Sequence, residues 1–331
     1  MLRRRPLVAA LAAAGLLALT GCGLTAGGGP DKDEATLLLD FQPNAVHSGI
    51  YLALARDFDG AEEVDLDIAV PGATPDPVGA LLSGRADFAV VDIHDLALAG
   101  QEGREVVGVM ALVQRPLAAV LARAPVRRPR DLEGRRVGVS GLPSDVAVLR
   151  SVVAGDGGDP DRVRRTTIGF NAVPALLGRR VAAATAFWNA EGVALKAARR
   201  DVREFRVDEF GAPSYPELVL CVARTTLQDD PDLVRAVVGA LRRGYRELLG
   251  DPEAGLTALR EAEPDLDGEA LQRELDAVSP AFTQGARVFG ELDPAGLRRW
   301  ARWEADFGIT REPPDVAQLF APRFSAAGDL E

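Results

Sequence analysis

The chain has 331 residues, long enough for two compact domains with sizeable cores. Charged residues make up 26% and hydrophobic residues 47%, the balance of an ordinary soluble globular protein. The net charge is −11, Lys occurs only at Lys32 and Lys196, and no basic stripe exists, so nucleic acid is excluded as an expected partner and a small anion is disfavoured as a ligand.

The N-terminus reads as a leader that lies outside the fold. Arg3, Arg4 and Arg5 form a basic start, and Leu7 to Leu19 is an unbroken small or apolar run, too short to span a membrane, which takes about 20 residues. Leu19-Thr20-Gly21-Cys22 follows and resembles a bacterial lipobox, so residues 1–22 read as a lipoprotein signal with Cys22 as the lipid attachment point. Residues 23–34 read as a polar, Gly-rich tether. The mature protein is then expected on the outer face of a membrane. The other cysteine, Cys221, sits in the apolar run LVLCVA and reads as a packing residue.

From Ala35 strands and helices alternate. ATLLLDF predicts a strand, SGIYLALARDF a helix, VDLDIAV a strand, and DPVGALLSG a helix opened by the cap pair Asp76-Pro77. ADFAVVD and VVGVMALVQ are further strands. A second unit begins near Pro125: a short turn and the strand RRVGVSG, the helix SDVAVLRSVVAG, the strand RRTTIGF, the helix AVPALLGRR, the strand AAATAFW and the helix NAEGVALKAARR. REFRVDEF and PELVLCVAR follow, and thereafter the chain is helical, with Asp230-Pro231 and Asp293-Pro294 as helix starts. This rhythm predicts an α/β protein of two lobes, each a mostly parallel sheet flanked by helices. Residues 35–123 and 225–331 are assigned to lobe 1 and residues 124–224 to lobe 2, with Arg115–Arg123 and Leu218–Arg224 as the crossing segments.

Ligands of open α/β sheets bind beyond the carboxyl ends of the strands. Here those ends carry Asp40-Phe41, Pro71, Asp92, Gln114, Gly141, Phe170-Asn171 and Trp188-Asn189: aromatic faces, amides and carboxylates, with no Lys or Arg. Such a set suits a flat, neutral or weakly basic ligand better than a phosphate or sulfonate. Individually the signals stay open. Trp188 fits a stacking platform or a core residue. Glu191 fits a ligand acceptor or a first-turn partner of the helix dipole. Asp40 and Asp92 fit turn residues or acceptors, and Asn44 a turn residue. The loop GLPS, Gly141 to Ser144, fits a donor of backbone N–H groups or a tight turn. His47 and His94, the only histidines, have too few evident partners for a metal site or a triad.

Taken together, several stretches resemble the thiamine-pyrimidine-precursor binding proteins of ABC importers. LLLDFQPNAVHSGIYLAL looks like the family's opening strand and its Asp-x-x-Pro-Asn-x-x-His-x-Gly loop, ALVQRPLAAVLA its crossover, GFNAVPALLGRRVAAATAFWNAEGVAL its Trp-Asn-x-Glu-Gly element, DEFGAPSYPELVLCV its return crossover and LFAPRF its tail. The resemblance covers about residues 35 to 325. It implies a two-lobed periplasmic-binding-protein fold of type II that closes on its ligand, with Asp40, Asn44, Trp188, Glu191 and Tyr215 at the cleft. Phe41, His47, Asp92, Gln114, Ser144, Asn171 and Asn189 complete the expected ligand-binding set. Two departures stand out: Phe41 replaces a frequent Trp, and AVVDIHDL replaces a strand end usually written Ser-Tyr-Gln-Pro-Asp-Leu, which recasts the pocket around Asp92 and His94.

The expected function is a lipid-anchored, monomeric solute-binding protein that hands a thiamine pyrimidine precursor to an ABC permease, without a cofactor and without enzymatic activity. The expected binding mode lays Trp188 over the ring and sets a carboxylate, Glu191 or Asp40, against its amino group. The alternatives are the same fold binding riboflavin, an alkanesulfonate or nitrate, or a pyrimidine synthase. Fungal relatives of that last kind use a Lys bearing pyridoxal phosphate, and here the matching strand end is Val91-Asp92.

Overall fold

The computed structural model describes residues 33–72, 76–198 and 201–326. The leader, Cys22 and the tether up to residue 32 lie outside the described residues; Asp33 and Glu34, expected in the tether, already pair as strand.

Among the described residues, ten strands form two five-stranded sheets. The first contains β1 (Asp33–Leu38), β2 (Val64–Ala69), β3 (Phe88–Asp92), β4 (Val106–Val113) and β10 (Leu218–Ala223), in the order β2-β1-β3-β10-β4. The second contains β5 (Ala118–Arg123), β6 (Arg136–Val139), β7 (Arg164–Thr167), β8 (Ala183–Phe187) and β9 (Val202–Arg206), in the order β7-β6-β8-β5-β9. The two orders are the same pattern. In each, three neighbouring strands run parallel and one reversed strand, β10 or β5, is inserted antiparallel between the third and the last. Four strands of each sheet therefore point the same way, as the expected fold class requires.

The lobe boundaries need correcting. Ala118–Arg123 was assigned to lobe 1 but pairs with β8 and β9 in the second sheet. Leu218–Ala223 was assigned to lobe 2 but lies between β3 and β4 in the first. Each is an apolar run wholly or almost wholly buried, so hydropathy alone could not say which sheet would take it. The crossings are the short segments before these strands, around residues 114–117 and 207–217.

The core strands are apolar without alternation because helices cover both faces. β4 is buried along its whole length. Helix starts follow the Asp-Pro pairs: Asp76 accepts from Gly79 N–H, Asp230 from Leu233 N–H, and Asp293 from Ala295 and Gly296 N–H. The long helix Pro231–Gly250 crosses Ser48–Ala55 at backbone contact. A Cβ on Gly244 would lie 2.2 Å from the Gly49 carbonyl oxygen, so both positions demand glycine. Tyr245 seals the crossing, its hydroxyl donating to Val46 O at 2.8 Å and its ring stacked on Phe289. The C-terminal helix Pro294–Asp306 packs Trp300 and Trp303 inward, and Trp303 Nε1–H donates to Ser151 Oγ in the helix Pro143–Gly155.

Candidate functional site

A cleft of about 90 Å³ opens where the carboxyl ends of the second sheet's parallel strands meet the end of β3. Ser140 follows β6, Phe170 follows β7, and Phe187 ends β8, while Asp92 and Glu217 come from the first sheet. This is the topological position the strand-end rule anticipates.

Two kinds of side chain face the cleft. The first is apolar and exposed: Phe170 at 77%, Leu142 at 45% and Phe187 at 38% relative exposure. Large apolar groups kept in water at strand ends offer faces for a planar ligand. The second is acidic. Glu191 lines the cleft from a π-turn, Trp188–Gly192, placed between β8 and the helix Val193–Ala197. One of its oxygens, Oε2, accepts from Phe187 N–H at 3.1 Å. Burial pushes its carboxyl above the ordinary range. Asp145 supports the opposite wall by accepting from Ser140 N–H at 2.6 Å. Gly141 turns the chain there with φ +114°, and Leu142 N–H is taken by Ser140 Oγ. The expected GLPS donors are thus partly spent on the turn itself, while Ser144 lines the cleft.

The floor is a buried polar cluster. Asp92 ends β3 and caps the helix Ile93–Gln101, accepting from His94 N–H at 2.7 Å. His94, 2% exposed, bonds Glu304 through Nδ1 and lies 3.3 Å from the Tyr215 hydroxyl through Nε2. Burial lowers the pKa of His94, but the Glu304 and Asp92 carboxylates outweigh it and carry it up to about 10. Glu217 precedes β10 and is fixed by its backbone, which accepts from Ile93 N–H and donates to Val113 O, both at 3.0 Å. Its Oε2 accepts from Leu117 N–H at 2.6 Å. Burial raises the carboxyls of Asp92 and Glu217 and the Tyr215 hydroxyl.

Of the expected ligand set, the structure brings Asp92, Ser144 and Glu191 to the cleft wall. Tyr215 stands one layer behind it, 1% exposed, touching His94 and tilted against Trp303. The others have different work. Trp188 is the main correction. It is 2% exposed, its Nε1–H donates to Pro116 O at 2.9 Å, and the Arg206 guanidinium covers its ring at 3.9 Å from the centroid. It lies in the same buried cluster as Leu117, Ala119 and Leu121 and braces the crossover, because an indole with one N–H can satisfy a buried carbonyl while filling core space.

Asp40, Asn44 and His47 form a closed turn after β1. Asn44 N–H donates to His47 Nδ1 at 3.2 Å, which leaves the proton on Nε2, and Nε2 donates to Asp40 Oδ1 at 2.8 Å. Asn44 Oδ1 accepts from Val46 N–H and its Nδ2 donates to Gln42 O. These three, and the exposed Phe41, do not line this cleft. Gln114 Nε2 donates to Glu291 O, tying β4 to the C-terminal region. Asn171 is exposed and bonds Ile168 O. Asn189 is buried with no partner for Oδ1.

Sequence reasoning missed Phe187, Glu217 and Glu304, and passed over Phe170 in favour of its neighbour Asn171. The strand-end rule already pointed at Phe170. The signal for Glu217 was a lone carboxylate directly before a wholly apolar strand. The expectation that His94 lacks partners fails because they come from far along the chain, 121 residues away for Tyr215 and 210 for Glu304.

Comparison with known proteins places this geometry. A formylaminopyrimidine-binding protein of Halalkalibacterium halodurans is 30% identical over 293 residues, covering 86% of this chain and 88% of the relative. A 4-amino-5-hydroxymethyl-2-methylpyrimidine phosphate synthase of Legionella pneumophila is 25% identical, over 88% of this chain and 92% of the relative. The riboflavin-binding protein RibY of Chloroflexus aurantiacus is 26% identical, over 90% and 88%. Among solved structures, the periplasmic aliphatic sulphonate binding protein SsuA of Escherichia coli superposes with a TM-score of 0.71 at 15% identity, covering 92% of this chain and 96% of that one. That likeness shows the fold, the two-lobed α/β architecture of periplasmic binding proteins. The family described as NMT1/THI5 like matches residues 44–255, and the chain belongs to it.

Proposed function

We propose that this protein is an extracytoplasmic solute-binding protein that captures a thiamine pyrimidine precursor, of the formylaminopyrimidine or hydroxymethylpyrimidine type, and delivers it to an ABC permease. The observation that carries this reading is Glu191. One of its oxygens is committed to Phe187 N–H, and the carboxylate lines a cleft walled by Phe170 and Phe187. An aminopyrimidine presents the complement: a flat π-face for the phenyl rings and an amino group for the second oxygen. A hydrogen bond to a charged acceptor contributes roughly 1.5–3 kcal/mol. Two such bonds with stacking worth about 0.5–1.5 kcal/mol sum to about 3.5–7.5 kcal/mol, the millimolar to low-micromolar range.

The lining argues against the alternatives. Asp92, Asp145, Glu191 and Glu217 line the cleft together with His94, and among the described residues no Lys or Arg lines it. A sulfonate or nitrate would meet repulsion there. The pyrimidine-synthase relatives implied by the sequence resemblance anchor their chemistry on a Lys at the end of the third strand, where this chain has Asp92. We therefore read the site as one for capture.

Capture proceeds by closure about the two crossovers. Arg115 in the first bonds Asp208 in the second at 2.6 Å, so the two hinge segments move together. The lipid attachment at Cys22 keeps the carrier at the outer membrane face beside its permease, and the carrier acts as a monomer. Calorimetric titration with formylaminopyrimidine, hydroxymethylpyrimidine, riboflavin and an alkanesulfonate tests the assignment. Binding of either pyrimidine with loss in Glu191→Gln is expected; saturation by riboflavin or the sulfonate alone overturns it.

A further inference from the structure

We infer that the floor of the cleft is a divalent-metal site, with Asp92, His94 and Glu217 as ligands and zinc as the fitting ion. Among the described residues their donor atoms form a group within 4.8 Å of one another. Three features lift it above a chance cluster. The first is an orphan: Glu217 is 1% exposed and its Oε1 has no hydrogen-bond partner, although the residue lines the cleft. A buried carboxylate oxygen left unpaired is costly unless something binds it.

The second is the division of labour within each ligand. Glu217 uses Oε2 to accept from Leu117 N–H and keeps Oε1. Asp92 uses Oδ1 to accept from His94 N–H. His94 uses Nδ1 on Glu304, leaving Nε2, whose one contact is the 3.3 Å approach of the Tyr215 hydroxyl. Each side chain is thus anchored by one atom and carries a second potential donor, the arrangement that orients ligands before an ion arrives.

The third is Glu304 itself, 0% exposed behind the imidazole. A carboxylate accepting from the far ring nitrogen of a ligating histidine is the usual outer-shell partner of a metal-bound imidazole. On binding, the ion takes the place of the Nε2 proton, while Nδ1–H goes on donating to Glu304. Zinc suits one imidazole and two carboxylates at roughly 2.0–2.2 Å, with a fourth position open.

The test uses the full chain, stripped with chelator and titrated with zinc by calorimetry, then with cobalt to read the visible absorption of a low-coordinate site. One zinc per chain is expected. Asp92→Asn preserves the helix cap, since asparagine caps as well as aspartate, and Glu217→Gln preserves the bond to Leu117; each should weaken zinc by at least about tenfold, and Glu304→Gln by about 10–100-fold. Thermal unfolding of each metal-free variant verifies that it is folded. Glu191→Gln, which weakens pyrimidine capture, should leave zinc affinity unchanged, so this inference and the proposed function fail separately. No stoichiometric zinc, or equal zinc affinity in the folded Asp92→Asn and Glu217→Gln variants, overturns the assignment.

Discussion

Replacing Trp188 by Phe separates a hinge brace from a ligand platform. The indole N–H donates to Pro116 O at 2.9 Å inside the core. Phenylalanine keeps most of the ring volume and loses the donor, which orphans a buried carbonyl at a cost of about 1–3 kcal/mol. The Arg206 guanidinium sits 3.9 Å from the ring centroid, and the weaker phenyl quadrupole forfeits part of a further contribution of roughly 0.5–1 kcal/mol. The expected loss is about 1–4 kcal/mol, which for a chain of this size lowers the melting temperature by about 2 °C per kcal/mol. Thermal denaturation followed by circular dichroism reads this term. Calorimetric titration with the pyrimidine, well below the transition, reads the other. A lower melting temperature with little change in ligand affinity is expected. An unchanged melting temperature with a tenfold or greater loss of affinity would mean that the indole meets the ligand after all.

Phe170→Ala should do the reverse: Phe170 is 77% exposed, so stability stays within about 0.5 kcal/mol while pyrimidine affinity falls about tenfold with the lost stacking; unaltered titration curves would remove Phe170 from the site. Gly244→Ala places a Cβ 2.2 Å from Gly49 O, and prising the two helices apart costs about 1–3 kcal/mol, read as a lower urea midpoint; an unchanged midpoint contradicts the close crossing. Burial raises the Glu191 carboxyl in the fold, so its ionised form opposes folding above the unfolded value, and that opposition vanishes as pH falls below it. Protonated, it accepts from an amine only as a weaker, neutral oxygen, so pyrimidine affinity should decline on lowering the pH in a range where an ordinary glutamate stays ionised. Glu191→Gln should flatten that profile, and parallel profiles would rule Glu191 out. Cys22→Ala should move the protein from the membrane fraction to the soluble one; retention on the membrane would refute the lipid anchor.

Much of the fold was legible because its signals are local. The Asp-Pro pairs at 76–77, 230–231 and 293–294 each start a helix through a side-chain cap, and the apolar runs at β3, β4 and β10 are strands. What was not legible is non-local. β5 and β10 are apolar on every residue but Arg123, so nothing in their composition distinguishes one sheet from the other. Trp188 follows a strand end, where an indole has equal reason to face a ligand or the crossover; Pro116, 72 residues away, decides it. The polar floor depends on Glu217 and Glu304, whose distances from His94 along the chain conceal them. Of the two readings of Asp92, the structure shows the turn residue, since one oxygen caps the helix; the side chain also lines the cleft.

The reciprocal exchange of β5 and β10 makes the two halves inseparable. β10 lies inside the first sheet, between β3 and β4, and β5 lies inside the second, between β8 and β9. Excising either half removes an interior strand from the other and exposes two unpaired edges. A chain emerging N-terminus first leaves β4 unsecured until residue 223 is available, so the first sheet forms last although its strands come first. This order delays compaction of the first sheet until β10 is available.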